Sequence, residues 1–295
     1  MGCHIIHLAD RIAVLTSQFQ NVLEHIGKIS EKINKNSGNM FVPEYVEAFN
    51  SLASKKSFWL NSYSFAKYDQ IFHKSQSRIL HLDAEGLLDL ARLFCQIIDF
   101  RSRFTATHSS GVAATVEAIA ENIDFSQKEL LMIKLGGYLH DLGKLAVPVE
   151  ILEKPGRLTQ EEFSVIQSHT YYSFHLINLI PEFAVFNEWA AFHHETMDGH
   201  GYPFEIDSKS LTLGSRLMAV ADVFTALTED RPYRAGMSGE KAIGLLKTMV
   251  AEDKLDGYVV NLVDDNKDEI NSVRLTAQKA AYREYQEFSQ LPKAA

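Results

Sequence analysis

Two short segments of the sequence contain residue types suited to metal chemistry. The first, YLHDLGK from Tyr138 to Lys144, places an imidazole beside a carboxylate, with a lysine one helical turn later. The second, HHETMDGHGYP from His193 to Pro203, begins with two adjacent imidazoles. Imidazole nitrogens and carboxylate oxygens together bind divalent transition metals. We therefore predict a hydrolytic metal centre, although a His-Asp pair taken alone fits a helix end with a capping carboxylate equally well.

Further candidate ligands lie in apolar stretches of the chain. Asp222 stands within LMAVADVFTAL, and Asp141 ends an apolar segment that begins LLMIKLGGYL. A buried carboxylate is costly unless it is paired or bound to a metal, so two such groups indicate a shared cation. In chain order the candidate ligands are His108, His140, Asp141, His169, His193, His194 and Asp222.

This set of ligands is larger than one metal ion needs. Neighbouring residues of a helix point about 100° apart, so we expect His193 and His194 to address different ions. Two ions about 3.5 to 4 Å apart, bridged by a carboxylate, clamp a phosphate for in-line attack, and Asp141 is the predicted bridge. Imidazole and carboxylate ligands without thiolates suit iron, manganese, nickel or zinc better than calcium or magnesium.

Between His108 and Arg234, the chain resembles the HD-GYP family of metal-dependent cyclic-dinucleotide phosphodiesterases. The matching blocks, in the family's order and spacing, are LHDLGKLAVPVEIL, KPGRLTQEEF, SHT, HHETMDGHGYP, VADVFTAL and RPYR. The resemblance implies an all-α fold, an HD-domain helical bundle, to which this chain adds an N-terminal helical segment. It also implies that the seven candidate ligands bind metal.

The family opens a cyclic dinucleotide, cyclic di-GMP or 3'3'-cyclic GMP-AMP, to a linear dinucleotide with a hydroxide activated by the metal ions. The resemblance implies a catalytic role for Asp141 and Lys144. It implies substrate contacts by Lys144, by Tyr202 in the GYP turn, and by Arg231 and Arg234 in DRPYRAG. Two other functions remain open: a catalytically weak receptor for a cyclic dinucleotide, and a general HD nucleotide phosphohydrolase.

Several positions depart from the family pattern. Phe104 stands four residues before His108, where members that hold three metals have a glutamate, so we predict two ions. Thr196, Gly111 and His200 also replace residues that are usual in the family. They leave the choice between cyclic di-GMP and cyclic GMP-AMP open. His200 itself fits an exposed turn histidine better than a ligand or a proton shuttle.

The composition restricts the partners of the protein. The chain has 295 residues, of which 46% are hydrophobic, and a formal net charge of −9. This charge argues against a nucleic-acid polymer as partner, because such binding depends on basic surface. Two cysteines fit a reducing cytoplasm, and the apolar runs are shorter than a membrane helix requires. We expect a cytoplasmic enzyme of second-messenger signalling that acts on a small molecule, with homodimer formation as a further expectation.

The sequence predicts helices almost throughout and no strand ladder. Apolar residues recur at helical spacing in segments 84–100, 105–123, 127–141, 160–169, 182–194, 214–228 and 266–290. Thr159 and Glu162 form a capping box at the start of the helix that carries His169. We expect the terminal helix to be charged and mostly exposed, with Tyr282 and Phe288, together with Tyr285, packing on one side.

The first eighty residues repeat part of the later pattern. IIHLADRIAVLTS near the N-terminus aligns with LMAVADVFTALTE, which pairs Asp10 with Asp222. We interpret residues 1–80 as a helical region formed by the tail of a degenerate HD-type domain of a longer protein, and residues 81–295 as the HD-GYP catalytic domain. Two unrelated amphipathic helices are the alternative. Asp10 has few candidate partners nearby, so we expect a structural or regulatory role for it.

Overall fold

The computed structural model describes residues 2–16, 19, 21–64, 81–101, 106–154, 156–230 and 235–290. These residues form fourteen α-helices, three short 3₁₀ helices and one isolated bridge between Ser37 and Phe41. Strands do not occur in this part of the chain, which confirms the expected all-α fold. None of the described helices is both long enough and apolar enough to cross a membrane.

We number the α-helices in chain order. They are α1 (Gly2–Thr16), α2 (Ile26–Lys35), α3 (Pro43–Ala53), α4 (Lys56–Ser64), α5 (Ala84–Asp99), α6 (His108–Glu121), α7 (Gln127–Leu139), α8 (Val149–Leu152), α9 (Gln160–Ile177), α10 (Ala184–Ala191), α11 (Leu213–Thr228), α12 (Gly239–Ala251), α13 (Gly257–Asp265) and α14 (Lys267–Ser289).

The helices group into two compact units. Unit 1 comprises Met1–His81 and Leu158–Ser168, and unit 2 comprises Leu82–Arg157 and His169–Ala295. Within unit 1, Trp59 is fully buried and donates its indole N–H to the carbonyl oxygen of a residue in α3 at 2.8 Å. Trp59 is therefore a core residue of this unit.

The structure also bears on the predictions for Asp10 and for the first eighty residues. Asp10 is exposed and pairs with its neighbour Arg11 at 3.2 Å, whereas Asp222 is buried. The structural or regulatory role of Asp10 remains a prediction. Aromatic residues recur in segment 55–82, where such spacing indicates packing, but Phe65, Tyr68 and Phe72 lie outside the described residues. The assignment of residues 1–80 to a degenerate HD-type domain remains a prediction.

Two large hydrophobic clusters form most of the core of unit 2. The first joins α6, α11, α12 and α13 through fully buried side chains such as Val112, Phe224 and Val259. The second joins α5, α7 and α10. Helices α6 and α7 lie very close together, because a Cβ atom on Gly137 would lie 2.5 Å from the Cα atom of Ala113. A glycine is therefore required at this crossing, which sets the end of α7 beside the start of α6.

Local capping signals explain where several helices begin. Ser126 and Glu129 form a capping box at the start of α7. The predicted capping box of α9 is confirmed, because the N–H group of Thr159 donates to Glu162 Oε2 at 2.7 Å and the N–H group of Glu162 donates to Thr159 Oγ1 at 3.3 Å. At the start of α6 the capping group lies farther away in the sequence. The carboxylate of Asp99 accepts both the N–H and the hydroxyl of Ser109.

The helices depart from the predicted segments at several places. Helix α9 continues to Ile177, well beyond the predicted end at His169, and α10 ends at Ala191 rather than at His194. Helices α12 and α13 were not predicted, and the predicted connector 145–158 contains the short helix α8. The end of α10 matters for the candidate site, because it lies just before the predicted ligands His193 and His194.

The prediction of a mostly exposed terminal helix is confirmed, because most residues of α14 are exposed, but one face of the helix is buried. Ile270, Arg274 and Gln278 are buried, as is Ala281, at the spacing of successive helical turns. Tyr282 is instead 51% exposed. The physical reason is that α14 packs against α6, so its inward face is covered although it contains polar residues. Tyr285 and Phe288 do contact the ring of Phe100, with ring centroids 5.3 and 5.2 Å apart.

Candidate metal centre

The seven predicted ligands come from distant parts of the chain and meet in unit 2. They lie at the start of α6, directly after α7, within α9, directly after α10, and within α11. Their ligand atoms form three overlapping groups, and within each group the atoms lie within 4.8 Å of one another. The groups are His108, His140 and Asp222; His140, Asp141 and His193; and His169, His193 and His194.

Asp141 lies between the other ligands. Its Oδ2 atom is 3.1 Å from His140 Nε2 and 2.6 Å from Lys144 Nζ, and its Oδ1 atom is 3.2 Å from His169 Nε2. Burial acts to raise the pKa of this carboxyl, but the charges of His140 and Lys144 hold the pKa well below its usual range. Asp141 is therefore an ionised carboxylate with both oxygens directed at the cluster, which is the geometry that a bridging ligand needs.

Two buried atoms of this cluster require a partner. His140 Nε2 and Asp141 Oδ1 make no hydrogen bond to any described residue, although both are inaccessible to solvent. Buried polar atoms in folded proteins are nearly always satisfied. Imidazole nitrogens and carboxylate oxygens ligate transition metals. Both residues belong to groups whose ligand atoms lie within 4.8 Å of one another. The residues present therefore fit a divalent transition metal.

The outer nitrogens of the imidazoles are held by fixed acceptors. His140 Nδ1 lies 2.8 Å from the carbonyl oxygen of Gly137, and His193 Nδ1 lies 2.6 Å from that of Ala190. A carbonyl oxygen can only accept, so Nδ1 carries the hydrogen and Nε2 presents its lone pair to a cation. This arrangement is typical of metal-binding histidines.

His108 is held differently. Its Nε2 atom lies 3.1 Å from Asp222 Oδ1, and its Nδ1 atom lies 3.1 Å from Glu229 Oε2. Burial acts to lower the pKa of His108, but the carboxylates of Glu229 and Asp222 raise it well above the usual value. Sequence reasoning missed Glu229. The available signal was its position seven residues after Asp222, which places both on one helical face.

The imidazoles of His193 and His194 are in the protonation state that binds metals. Burial is the main reason that the pKa of His194 is lowered to about 3. Burial, together with His194 and His140, also lowers the pKa of His193 well below its usual range. Both imidazoles are therefore neutral near pH 7, which is the form that binds metals.

The expectation that helix geometry separates His193 from His194 is wrong. Helix α10 ends at Ala191, so both histidines follow the helix. Their ring centroids are 4.2 Å apart, and both belong to one group with His169. The chain has left the helix at this point, so the angle between successive helical residues no longer applies.

Lys144 is carried by the 3₁₀ helix that follows α7. In this helix the N–H group of Gly143 donates to Ser173 Oγ at 2.9 Å, and Ser173 Oγ donates to the carbonyl oxygen of His140 at 2.8 Å. A Cβ atom on Gly143 would lie 1.9 Å from the carbonyl oxygen of His169. The glycine thus allows close contact with α9, and one buried hydroxyl joins the two segments.

Arg101 also supports the segment that carries Lys144, and sequence reasoning missed it. Its guanidinium group donates to the carbonyl oxygens of Lys144 and Val147 at 2.8 and 3.1 Å. Both acceptors are main-chain atoms, so the residue types at these positions gave no signal of the contact. Arg101 fixes the backbone of the turn and leaves the ammonium group of Lys144 free to face Asp141.

Tyr202 lies at the mouth of the cluster. Its ring centroid is 4.9 Å from that of His194, and its N–H group donates to the carbonyl oxygen of His194 at 3.2 Å. Burial, followed by the charges of nearby carboxylates, raises the pKa of Tyr202, so it stays a phenol. Glu195 fixes the turn by accepting the N–H groups of Phe204 and Ile206 at 2.7 and 3.0 Å.

Three residues that the sequence singled out cannot be placed. Arg231, Arg234 and Phe104 lie outside the described residues. Thr196 and His200 lie in the turn after the paired histidines, where Asp198 accepts from the Thr196 hydroxyl and from the His200 N–H group. His200 is exposed, as expected.

Comparison with known proteins agrees with this geometry. The profile of the HD domain family matches residues 76–259. The chain belongs to the HD domain family. This HD domain protein is 32% identical over 271 residues to the 3'3'-cGAMP-specific phosphodiesterase 1 of Vibrio cholerae serotype O1, covering 89% of the chain and 63% of the relative. The chain thus spans less than two thirds of that relative's length.

Two further similarities extend the comparison. The chain is 36% identical over 176 residues to a cyclic di-GMP phosphodiesterase of Pseudomonas aeruginosa, covering 59% of the chain and 41% of the relative. The crystal structure of a cyclic GMP-AMP-specific phosphodiesterase of V. cholerae aligns at 26% identity with a TM-score of 0.45, covering 97% of this chain and 60% of that one. The resemblance to HD-GYP phosphodiesterases stated from the sequence is confirmed.

Proposed function

We propose that this protein is a metal-dependent phosphodiesterase that hydrolyses a cyclic dinucleotide to a linear dinucleotide. The observation that carries the proposal is the convergence of seven imidazole and carboxylate ligands into three overlapping groups, two of whose buried atoms make no hydrogen bond to a described residue. The similarity to relatives that are named phosphodiesterases of cyclic GMP-AMP and cyclic di-GMP supports the substrate class.

The centre holds two divalent ions in this proposal. The proposed ligands are His108, His140, Asp141, His169, His193, His194 and Asp222. Iron or manganese is the proposed metal, with nickel and zinc as alternatives, because neutral imidazoles and carboxylates suit these ions. When bound, such ions act as Lewis acids on the phosphate and activate water for in-line attack.

The protein's own residues orient the ligands and the substrate. The position of Asp141 between His140 and His169 supports its role as the bridging carboxylate. Lys144 is partly accessible, with 18% of its side chain exposed, and its ammonium group is proposed to neutralise a phosphate oxygen of the substrate. Tyr202 is proposed to contact the substrate from the turn beside His194.

Two arginines complete the proposed substrate site. Arg231 and Arg234 follow α11 closely in the sequence, and a guanidinium group binds phosphate through two parallel hydrogen bonds. A cytoplasmic location and homodimer formation remain predictions that accompany this function. The identity of the preferred dinucleotide is proposed to depend on the turn that contains Thr196 and His200.

The test is a turnover assay on the full chain. Protein loaded with Mn(II), or anaerobically with Fe(II), is incubated separately with cyclic di-GMP and with 3'3'-cyclic GMP-AMP, and the products are separated by chromatography. We expect a linear dinucleotide from at least one substrate. We expect Asp141→Ala to abolish the reaction, and Asp10→Ala, which changes an exposed carboxylate outside unit 2, to keep wild-type turnover.

The outcomes separate the competing functions. Tight binding of either dinucleotide without any product would replace the enzyme by a receptor. Hydrolysis of linear nucleotides with no reaction of the cyclic ones would indicate a general nucleotide phosphohydrolase. Wild-type turnover by Asp141→Ala would place the chemistry outside the described centre.

A further inference from the structure

We propose that the terminal helix α14 positions the ligand His108 through a buried relay of Arg274, Gln278 and Glu229, and that this relay sets the metal affinity of the centre. The inference rests on the proposed metal centre and adds residues outside the seven ligands. Glu229 is 3% exposed, Arg274 is 2% exposed, and Gln278 is 8% exposed. Polar side chains this well buried need partners, and here they partner one another.

The contacts run in one direction, from α14 to the metal ligand. Arg274 donates from its guanidinium group to Gln278 Oε1. Gln278 Nε2 donates to Glu229 Oε2 at 3.2 Å. The same carboxylate oxygen lies 3.1 Å from His108 Nδ1. Because a guanidinium group can only donate, the amide orientation of Gln278 is fixed, with its oxygen towards Arg274 and its nitrogen towards Glu229.

The last contact determines how His108 can ligate. An ionised carboxylate can only accept, so Glu229 keeps the hydrogen of His108 on Nδ1 and leaves Nε2 for a cation. His140 and His193 direct the corresponding nitrogen to main-chain carbonyls. A carboxylate in this position makes the imidazole a stronger ligand, and removal of such outer partners typically weakens metal affinity about 10–100-fold.

Gly111 provides the space that the relay needs. It lies three residues after His108 on α6, and a Cβ atom at this position would lie 2.7 Å from Gln278 Nε2 and 3.0 Å from Gln278 Cδ. The clash would fall on the flexible end of a side chain, so the amide would move and the backbone would stay. A methyl group at residue 111 therefore displaces Gln278 from Glu229 without requiring α6 and α14 to separate.

The chain offers a matched control for this substitution. Gly244 lies within α12, and a Cβ atom there meets nothing within 4 Å. Alanine is preferred over glycine within helices, so Gly111→Ala and Gly244→Ala have the same intrinsic effect on their helices. Only the first of the two substitutions is predicted to disturb the relay.

The experiment measures binding of Mn(II) and Zn(II) to the metal-free chain by calorimetry, for wild type, Glu229→Gln, Gly111→Ala and Gly244→Ala. We expect Glu229→Gln to weaken the metal affinity of the most strongly affected site about 10–100-fold, with an unchanged number of sites. We expect Gly111→Ala to weaken metal binding in the same direction, while the metal-free protein still unfolds in one cooperative transition. Gly244→Ala should bind as wild type does.

Turnover adds a second readout that a purely structural role would not change in the same way. Excess metal should restore the kcat of Glu229→Gln, because the proposed defect is in metal occupancy. Wild-type metal affinity in both Glu229→Gln and Gly111→Ala would overturn the relay while leaving the metal centre in place. Wild-type protein that binds no metal would overturn the proposed centre, and the relay with it.

Discussion

Ser173→Ala is expected to lower both stability and activity, because this one hydroxyl of α9 binds two main-chain groups of the segment that carries His140 and Lys144. Ser173 is fully buried in α9. Its Oγ atom accepts the N–H group of Gly143 and donates to the carbonyl oxygen of His140, at 2.9 and 2.8 Å. An alanine at this position removes the partner of two buried main-chain groups.

The expected magnitude follows from these two contacts. A buried group left without its hydrogen bond costs about 1–3 kcal/mol. Partial relaxation reduces the sum, so we expect the free energy of unfolding of the metal-free protein to fall by about 2–4 kcal/mol. A shift of the Lys144 turn by about 1 Å is expected to lower kcat about tenfold to hundredfold.

The assay is urea denaturation of the metal-free protein, followed by turnover of the metal-loaded protein. Ser164→Ala is the matched control, because Ser164 lies on the same helix and its hydroxyl donates to the carbonyl oxygen of Gln160 at 2.9 Å near the surface. The control is expected to change the free energy of unfolding by less than about 0.5 kcal/mol. Ser173→Ala protein with the stability of the control would refute the reasoning.

Three further predictions follow from the site. Asp141→Asn keeps the shape of the side chain but removes the charge that His140 and Lys144 face, so elemental analysis should show fewer bound ions per chain and the turnover assay no product. Lys144→Gln should leave the metal content unchanged and lower kcat about 10²–10³-fold, because it removes positive charge from the phosphate site. Burial lowers the pKa of His175 to about 4, so below about pH 6.5 the unfolded chain binds a proton that the folded chain does not. The free energy of unfolding therefore decreases as the pH is lowered. After a discount for partial exposure, His175 contributes about 0.5–1 kcal/mol to the loss between about pH 6.5 and 5.5, and His175→Gln should reduce the loss by this amount in urea denaturation at the two pH values.

Much of the candidate metal centre could be predicted because its proposed ligands are polar residues in apolar sequence. His140, Asp141 and Asp222 stand out for this reason, and the structure brings them together with the other four predicted ligands. Their helices were also predictable, since α7 and α11 have clear helical spacing and strong N-terminal caps. Sequence patterns of this kind report which side chains must be buried.

The missed features depend on tertiary contacts. Glu229, Arg274 and Gln278 are polar residues in polar surroundings, so the sequence predicts exposure, and only the packing of α14 against α6 buries them. The close approach of Gly143 to α9 is likewise a tertiary contact. A pattern within one segment cannot report which other segment lies against it.

The ends of helices were the other source of error. The sequence predicted that the helix before the paired histidines continues to His194, but it ends at Ala191. The apolar residues of this region continue past that end, because Phe192 packs in a separate small cluster with Leu211. Helical spacing therefore persisted in the sequence after the helix had stopped, and the predicted directions of His193 and His194 were wrong.

The central claim is that seven side chains from five parts of the chain hold two metal ions. The most direct test is the metal content of the full chain reconstituted with Mn(II), dialysed and measured by elemental analysis alongside protein concentration. We predict two ions per chain for wild type and fewer for Asp141→Asn. One ion, three ions or none in the wild-type protein would contradict the dinuclear centre.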